Sequence, residues 1–318
     1  MTISDLSPWF FRIVALWFGL LWGSFLNVVI YRLPRDMSIV SPPSHCPACG
    51  TPVRPYDNVP VLSYLVLGGR ARCCKAKMSV RYPLVELIGG ALSVAIFEMI
   101  FRQSPDMMVG RAVAIYAADF ALAMGLVAAA FIDAEHMYLP DSITIGGAIL
   151  GIGTASLRDM TYVESLVGAL GGFVGVWLPF VVLYKVVRGK SGMGLGDAKL
   201  MMLAGAWFGW PGAVFVFFAG ALQGTLAALF IYLVRGKIEE PEAVRADREM
   251  LEKEAAAGDE EAKMALAEDP LGVAPGDGLM ASRLSFGPFL CFSCLEFLFA
   301  GEWIKATYLG GFGGVFRL

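Results

Sequence analysis

Charged side chains are scarce in this sequence. Asp, Glu, Lys and Arg make up 17% of its 318 residues, whereas apolar residues make up 57%. A soluble domain carries about 25% charged residues, because its water-facing surface must be covered with groups that water solvates. A wholly water-exposed globule, a disordered chain, a coiled coil and a disulfide-rich secreted mini-protein are therefore excluded. The composition predicts a protein embedded in a bilayer.

Long apolar runs supply the predicted membrane spans. Crossing about 30 Å of hydrocarbon takes roughly 20 helical residues, and a span in lipid must satisfy its own backbone, which favours a helix. The candidate runs are residues 9–30, 84–101, 112–132, 143–155, 166–187, 198–208, 213–234 and 286–301. Two of them, 143–155 and 198–208, are short for complete spans. We expect an all-α polytopic membrane protein with about eight transmembrane helices.

Basic residues indicate the orientation of these spans. The first loop is rich in lysine and arginine, and short loops of this kind stay in the cytoplasm. Its basic residues are Arg32, Arg35, Arg54, Arg70, Arg72, Lys75, Lys77 and Arg81. With eight spans, the prediction places both termini outside the cytoplasm and the first loop inside it.

One polar insert accounts for the negative net charge of −3. Residues 238–278 contain 13 Asp or Glu and four Lys or Arg, which leaves 15 acidic and 21 basic residues in the remainder of the chain. The Ala-, Glu- and Lys-rich part of this insert favours a solvated helix. A docking site for a basic peptide is the alternative interpretation.

Two aspartates lie at the predicted cytoplasmic ends of apolar runs. Asp133 ends the 112–132 run, and Asp197 follows a glycine-rich turn and begins the 198–208 run. Ionisable groups at membrane depth are costly and often functional. Two carboxyl groups in one site do not easily both ionise, so one can act as a base while the other stays protonated. Such a pair can direct water against a peptide carbonyl; helix capping is the alternative.

Residues near the two aspartates have predicted supporting roles. Gly194 and Gly196 lack side chains and would let an extended substrate backbone approach Asp197. Asp141, directly after Pro140, is expected to be a helix N-cap. Lys199 is either a charge partner or a side chain that extends toward the membrane surface.

Four of the six cysteines lie in the first loop. Cys46 and Cys49 form a Cys-x-x-Cys pair, and Cys73 and Cys74 follow in the same loop. In the reducing cytoplasm, four such thiols suggest zinc rather than disulfides. Free thiols in a metal-free loop are the alternative. A zinc ion with four sulfur ligands has no open position for water, so its role would be structural.

The combined pattern resembles the bacterial type IV prepilin peptidases, which are aspartic membrane proteases of the GxGD type. Five motifs occur in the family's order, at residues 23–34, 81–86, 133–141, 194–200 and 285–290. The resemblance implies cleavage after glycine of the basic leader of prepilins or type II secretion pseudopilins, in the bacterial inner membrane. It also implies N-methylation of the new amino terminus with S-adenosylmethionine. The site residues it implies are Asp133 and Asp197, supported by Gly194, Gly196, Pro140, Asp141 and Lys199.

The chain departs from the family pattern in its first loop. The family has a second Cys-x-x-Cys pair, but Ala71 occupies the expected third position and Cys73 would have to replace it, beside Cys74. The sequence also has no glycine-rich nucleotide loop after a strand, so it does not locate a pocket for S-adenosylmethionine. Cleavage without methylation therefore stays open. The acidic insert is likewise outside the family pattern.

The resulting domain prediction has five parts. They are a first transmembrane helix (1–31), a cytoplasmic cysteine-bearing domain (32–82), a membrane catalytic core (83–237), an acidic cytoplasmic insert (238–284), and a last transmembrane helix with a tail (285–318). The expected partner is a prepilin or pseudopilin within the membrane, with no nucleic acid.

Two other functions share part of this pattern. A proton- or cation-coupled transporter would also show paired aspartates and glycine-interrupted helices, but near the membrane midplane. A cleavage-only peptidase of the preflagellin type would share the aspartates, whereas the 23–34 motif and the cysteine loop speak against it.

Overall fold

The computed structural model describes residues 1–5, 7–189, 192–268 and 283–309. Within these residues the regular elements are helices, which confirms the all-α prediction. The α-helices are α1 (Pro8–Arg32), α2 (Leu62–Val66), α3 (Arg81–Gln103), α4 (Val109–His136), α5 (Asp141–Gly153), α6 (Tyr162–Val176), α7 (Tyr184–Arg188), α8 (Leu195–Arg235), α9 (Glu242–Ala256), α10 (Glu260–Glu268) and α11 (Gly287–Ile304). A π-helical stretch, Trp177–Leu183, joins α6 to α7.

In the described residues, six helical segments are long and apolar enough to cross a membrane. They are Pro8–Arg35, Arg81–Gln103, Val109–His136, Tyr162–Arg188, Leu195–Arg235 and Gly287–Thr307. The chain is thus a multi-pass membrane protein. All eight predicted apolar runs are helical: the 143–155 run corresponds to the short helix α5, and the 198–208 and 213–234 runs both lie in α8.

A break in α8 explains how two predicted spans share one helix. Gly209 has φ +68° and ψ −174°, which is not helical, and Pro211 follows it. A left-handed φ of this kind costs glycine little, because glycine has no Cβ. The first half of α8 packs against α6 at Gly205, whereas Gly224 in the second half packs against Phe286 beside α11. The two predicted runs therefore lie on opposite sides of a real helix break.

The chain divides into two compact units, Met1–Ala128 and Ala129–Leu318. In the first unit, α1 and α3 meet through small residues. A Cβ on Gly19 would lie 2.3 Å from the carbonyl oxygen of Gly89, and one on Gly23 would lie 2.7 Å from the Cα of Glu86. The Ser93 hydroxyl donates a hydrogen bond to the carbonyl of Ala15. Such small-residue crossings bring helix backbones into direct contact in lipid.

The second unit is assembled around α8, which packs against α5, α6 and α11. Its contact with α6 is the tightest. A Cβ on Gly205 would lie 1.9 Å from the Gly168 carbonyl oxygen, and one on Gly172 would lie 2.2 Å from the carbonyl oxygen of Met201. Glycine at these places is a requirement of packing, because a methyl group would occupy space that the facing backbone already fills.

The acidic insert begins after α8 with the amphipathic pair α9 and α10. The predicted helix is present, and its polar character is confirmed by the exposed side chains along both helices. Arg248 of α9 forms a 2.6 Å ion pair with Glu240, and Arg283 lies 3.6 Å from the same carboxylate. These contacts connect the two ends of the insert. Its residues 269–282 lie outside the described part of the chain.

We expect Gly205→Ala to destabilise the protein by about 1–3 kcal/mol, because the added methyl group would force α6 and α8 apart. Thermal unfolding of the detergent-solubilised protein measures this. Gly171→Ala, on α6, is the matched control, since its Cβ would meet nothing within 4 Å. Equal losses of Tm in the two variants would contradict the packing argument.

Candidate active site

Asp133 lies in the last turn of α4 and is 6% exposed. Its Oδ2 accepts two hydrogen bonds from the segment that leads into α11. The backbone N–H of Gly287 donates at 2.9 Å, and the hydroxyl of Ser285 donates the other. A carboxylate with two donors is satisfied even where little water reaches it.

Gly287 must be a glycine for this contact to form. A Cβ there would lie 2.5 Å from Asp133 Oδ2 and 3.2 Å from a methyl carbon of Leu139. The absence of a side chain therefore lets the first backbone N–H of α11 reach the carboxylate directly. N–H groups at a helix N-terminus have no intrahelical partner, so they are available to bind an anion.

Asp197 lies in the first turn of α8 and is partly exposed. The backbone N–H of Gly194 donates a hydrogen bond to its Oδ2 at 3.2 Å. A negative side chain in the first helical turn is also favoured by the helix dipole. Leu139 borders both Gly196, the neighbour of Asp197, and Gly287, the donor to Asp133. The structure therefore brings the two predicted aspartates, from α4 and α8, into one neighbourhood.

Leu139 packs between the two segments that carry the aspartates. It is 5% exposed. A Cβ on Gly196 would lie 3.1 Å from the Cβ of Leu139, and Leu139 also borders Gly287 on the Asp133 side. Gly196 thus has a packing role in addition to its predicted role in substrate approach.

Lys199 and Asp141 connect the start of α5 to the first turn of α8. Lys199 Nζ lies 2.6 Å from Asp141 Oδ1, so Lys199 is a charge partner rather than a snorkelling side chain. The expected N-cap role of Asp141 is wrong. Pro140 occupies the N-cap position of α5, and Asp141 is the first helical residue. Since the helix begins one residue earlier than expected, the Asp141 carboxylate is not at the capping position, and it pairs with Lys199 instead.

The four predicted cysteine ligands converge in the first unit. Their sulfur atoms all lie within 4.8 Å of one another. Cys46 and Cys74 are 3.7 Å apart at sulfur, Cys49 and Cys73 are 3.3 Å apart, and Cys73 and Cys74 are 3.9 Å apart. A tetrahedral zinc site with Zn–S bonds of about 2.3 Å places its sulfurs roughly 3.8 Å apart. The donor set therefore fits zinc.

Two similar turns bring these cysteines together. In the first, the Gly50 N–H donates to the Cys46 carbonyl at 2.8 Å; in the second, the Lys75 N–H donates to the Ala71 carbonyl at 2.9 Å. Ala71 thus occupies the position that Cys46 has in the first turn, as the sequence pattern indicated. Cys73, one residue before Cys74, supplies the missing sulfur from the same turn.

The thiols of this cluster differ in acidity. Hydrogen bonds at Thr51 are the main cause that lowers the pKa of Cys49 to about 6. A hydrogen bond joins the sulfur atoms of Cys73 and Cys49. This bond is the main cause that raises the pKa of Cys73 to about 12. Cys49 is therefore ready to act as a thiolate at neutral pH.

The motifs at 23–34 and 81–86 hold the loop of the first unit in place. The Asn27 side-chain amide donates to the Tyr82 carbonyl at 3.1 Å, and the buried Glu86 carboxylate accepts from the Val61 N–H at 2.6 Å. The buried Arg32 guanidinium donates to two loop carbonyls. These side chains fix the loop that carries the cysteines.

Ser285 and Gly287 are site residues that sequence reasoning did not identify individually. The 285–290 segment was informative only as a family motif, and no periodicity or spacing connects it with Asp133, which is 152 residues before Ser285. The available signal was a Ser-x-Gly-Pro sequence directly before an apolar run.

We expect Lys199→Met to lower stability by no more than about 1 kcal/mol, because Asp141 is 56% exposed and water screens the pair. Thermal unfolding at low and high salt checks this, and the difference from the wild type should shrink as salt rises. Asp141→Asn closes a double-mutant cycle and isolates the pair's own contribution. A coupling above about 2 kcal/mol would show a buried pair instead.

Comparison with known proteins gives two family matches. The model of the type IV leader peptidase family matches residues 120–229, and the model of the bacterial peptidase A24 N-terminal domain matches residues 17–100. No solved structure matches the chain significantly.

Curated relatives cover most of the chain. A prepilin leader peptidase/N-methyltransferase of Neisseria gonorrhoeae is 34% identical over 262 residues, which cover 74% of this chain and 87% of that protein. A protein of the same name from Pseudomonas aeruginosa is 36% identical over 259 residues, which cover 72% of this chain and 83% of that protein. A third protein of this name, from Myxococcus xanthus, is 36% identical over 244 residues, which cover 74% of this chain and 69% of that protein.

Proposed function

This chain belongs to the type IV leader peptidase family, and from that premise we propose that Asp133 and Asp197 are the catalytic pair of a prepilin peptidase. The observation that carries the proposal is the meeting of two carboxyl groups from the last turn of α4 and the first turn of α8. Both residues are those that the family motifs indicate. The family match and the position of both carboxyls at helix ends argue against the transporter alternative.

The chemistry follows from the properties of a carboxyl pair. One carboxylate accepts a proton from a water molecule held between the two groups, and the water oxygen attacks the scissile carbonyl carbon. The protonated partner donates to the carbonyl oxygen as negative charge develops there. Collapse of the tetrahedral intermediate then needs a proton on the leaving nitrogen, which the pair also supplies.

The proposed substrate is a prepilin or pseudopilin with a short basic leader, cleaved after glycine. An extended backbone can approach Asp197 beside Gly194, where a Cβ would come within 3.4 Å of the carboxylate. Glu135 and the ionised member of the pair give the site negative charge that attracts a basic leader, whereas the charge of Asp141 is matched by Lys199. We place the site at the cytoplasmic face of the bacterial inner membrane with both termini outside, because the cysteine loop is rich in Lys and Arg.

N-methylation of the newly formed amino terminus is the second proposed activity, and it is supported by the relatives' names. S-adenosylmethionine would supply the methyl group. A cavity of about 260 Å³ in the first unit does not fit this cofactor, because its lining is apolar and aromatic whereas the cofactor is multiply charged. The cavity's lining includes Phe11, Ala15, Phe18, Phe97, Ile100 and Tyr116. We therefore assign no residue to the methyl transfer.

A structural zinc ion is the proposed ligand of the cysteine cluster formed by Cys46, Cys49, Cys73 and Cys74. The convergence of the four sulfurs within 4.8 Å supports this proposal. Zinc would crosslink the two turns of the loop and so stabilise it, since a loop of this size has little apolar core of its own.

Asp133→Asn and Asp197→Asn are each expected to lower the cleavage rate by roughly 10³-fold or more, because an amide can neither accept the water proton nor return it. The measurement is cleavage of a membrane-embedded prepilin by the purified full-length protein, with unchanged Tm as the control for folding. Methylation of a pre-cleaved substrate should persist in both variants. Cleavage at wild-type rate by either variant would refute that residue's assignment.

The cysteine cluster should hold one zinc ion per chain, measured by elemental analysis of the purified protein. Cys73→Ser should lose most of the metal, whereas Cys294→Ser, a buried cysteine of α11, should keep it. The double variant Ala71→Cys/Cys73→Ala moves the ligand to the regular position of the second turn and should regain the metal. Zinc retention in Cys73→Ser would contradict the four-cysteine site.

A further inference from the structure

The two aspartates of the second unit have unequal hydrogen-bond donors. In the described part of the chain, Asp133 Oδ2 receives the Gly287 N–H at 2.9 Å and the Ser285 hydroxyl. Asp197 Oδ2 receives the Gly194 N–H at 3.2 Å. Both donors to Asp133 converge on one oxygen atom, so its other oxygen, Oδ1, is left for a different partner.

This asymmetry separates the roles of the two carboxyl groups. A backbone N–H can donate but cannot accept, so it favours the ionised form of the carboxylate that it contacts. Two donors on one oxygen favour that form more than a single, longer bond does. When two neighbouring carboxyl groups hold one proton between them, that proton therefore belongs on the group with fewer donors. Here that group is Asp197.

Glu135 and His136 follow Asp133 in the last turn of α4, and Lys199 and Cys291 lie on α8 and α11. Neither Lys199 nor Cys291 reverses this assignment. Lys199 has its charge matched by Asp141 at 2.6 Å. Cys291, one helical turn after Gly287, is 1% exposed and lies within electrostatic range of both carboxyl groups. A protonated thiol carries no charge, so Cys291 does not select by charge which carboxyl group is ionised.

Burial also differs, since Asp133 is 6% exposed and Asp197 is partly exposed, and burial alone would favour the neutral form of Asp133. The two donors on Asp133 Oδ2 oppose that effect, and the assignment rests on them.

We propose that Ser285 is a positioning residue which, together with the Gly287 amide, holds Asp133 as the ionised base and leaves Asp197 as the acid. This inference rests on the proposed peptidase function and adds the division of roles within the pair. Asp133 Oδ2 is fixed by its two donors, so Oδ1 is the atom that faces the water. Ser285 itself does not touch the reacting atoms.

The proton transfers balance with these roles. Asp133 Oδ1 takes a proton from water as the water oxygen bonds to the scissile carbon, and Asp197 gives its proton to the carbonyl oxygen. In the second step, Asp133 gives the acquired proton to the leaving nitrogen as the C–N bond breaks. One hydroxyl proton of the intermediate returns to Asp197. The products are a free acid and a free amine, and the pair is restored.

Ser285→Ala and Ser285→Thr test the inference in the cleavage assay with membrane-embedded prepilin. We expect Ser285→Ala to lower kcat by about 10–100-fold with KM nearly unchanged. Removing a donor destabilises the ionised base, so Asp133 protonates more readily and the acidic limb of the pH–kcat profile moves to higher pH. Ser285→Thr keeps the hydroxyl and should restore both kcat and the profile.

Ser293→Ala is the matched control. Ser293 is also a buried serine, within α11, but its hydroxyl has no hydrogen-bond partner among the residues that the structure describes. We therefore expect kcat and the pH profile to stay at wild-type values. If Tm shows that Ser285→Ala is not folded, Ser285→Cys, with a weaker donor of similar size, carries the same expected directions.

The outcomes separate this inference from the proposed function. Wild-type kcat and an unmoved acidic limb in Ser285→Ala, with Asp133→Asn and Asp197→Asn both inactive, would overturn the role of Ser285 and leave the catalytic pair standing. Cleavage by either asparagine variant would instead overturn the catalytic pair itself. A lower kcat with an unmoved limb, not restored by threonine, would also overturn the inference, because it indicates a merely structural serine.

Discussion

The cost of placing two carboxyl groups side by side, one buried and the other only partly exposed, is the constraint on which the site depends. In a low-dielectric setting, a lone carboxylate is expensive and a second one beside it is more so. Backbone N–H groups at the starts of two helices offset this cost by donating hydrogen bonds to the carboxylates. Asp133 receives the free N–H at the start of α11, and Asp197 lies in the first turn of α8 with the Gly194 N–H. Both donors belong to backbone that would otherwise lack a partner.

Glycines make this arrangement possible because they let backbones approach where side chains would intervene. Gly287 brings a backbone N–H onto Asp133, and Gly205 lets α8 lie against Gly168 of α6. The first contact positions one carboxylate, while the second fixes the helix whose first turn carries the other. Helix packing and the positioning of the two carboxyl groups therefore place the same demand on the sequence, namely the absence of a Cβ where two backbones meet or where a backbone meets a carboxylate.

Much of the fold follows from composition and run length. The apolar runs predicted the helices because lipid leaves the backbone few other solutions, and the shared depth of Asp133 and Asp197 came from counting spans. The break at Gly209 could be predicted only in part. The gap between the 198–208 and 213–234 runs indicated an interruption, but it did not indicate that both runs belong to one helix, α8. The N-cap prediction for Asp141 was wrong because α5 begins one residue earlier than expected, with Pro140 at the N-cap position, and the Asp141 carboxylate pairs with the distant Lys199.

Contacts that depend on tertiary structure could not be predicted from the sequence. The bond from Ser285 to Asp133 joins residues 152 positions apart, and no local pattern records it. The cysteine cluster could be predicted in part. Spacing indicated an irregular ligand set, and only the folded turns show that adjacent Cys73 and Cys74 both reach the two sulfurs of the first turn.

The most direct measurement of a shared catalytic site uses an uncleavable substrate peptide whose scissile amide is replaced by a hydroxyl-bearing isostere. The hydroxyl takes the place of the attacking water between the two carboxyl groups. It should bind at least about 100-fold more tightly than the matching methylene analogue, and this preference should vanish in both Asp133→Asn and Asp197→Asn. Equal affinities of the two analogues, or a preference that depends on only one aspartate, would contradict a site built from the pair.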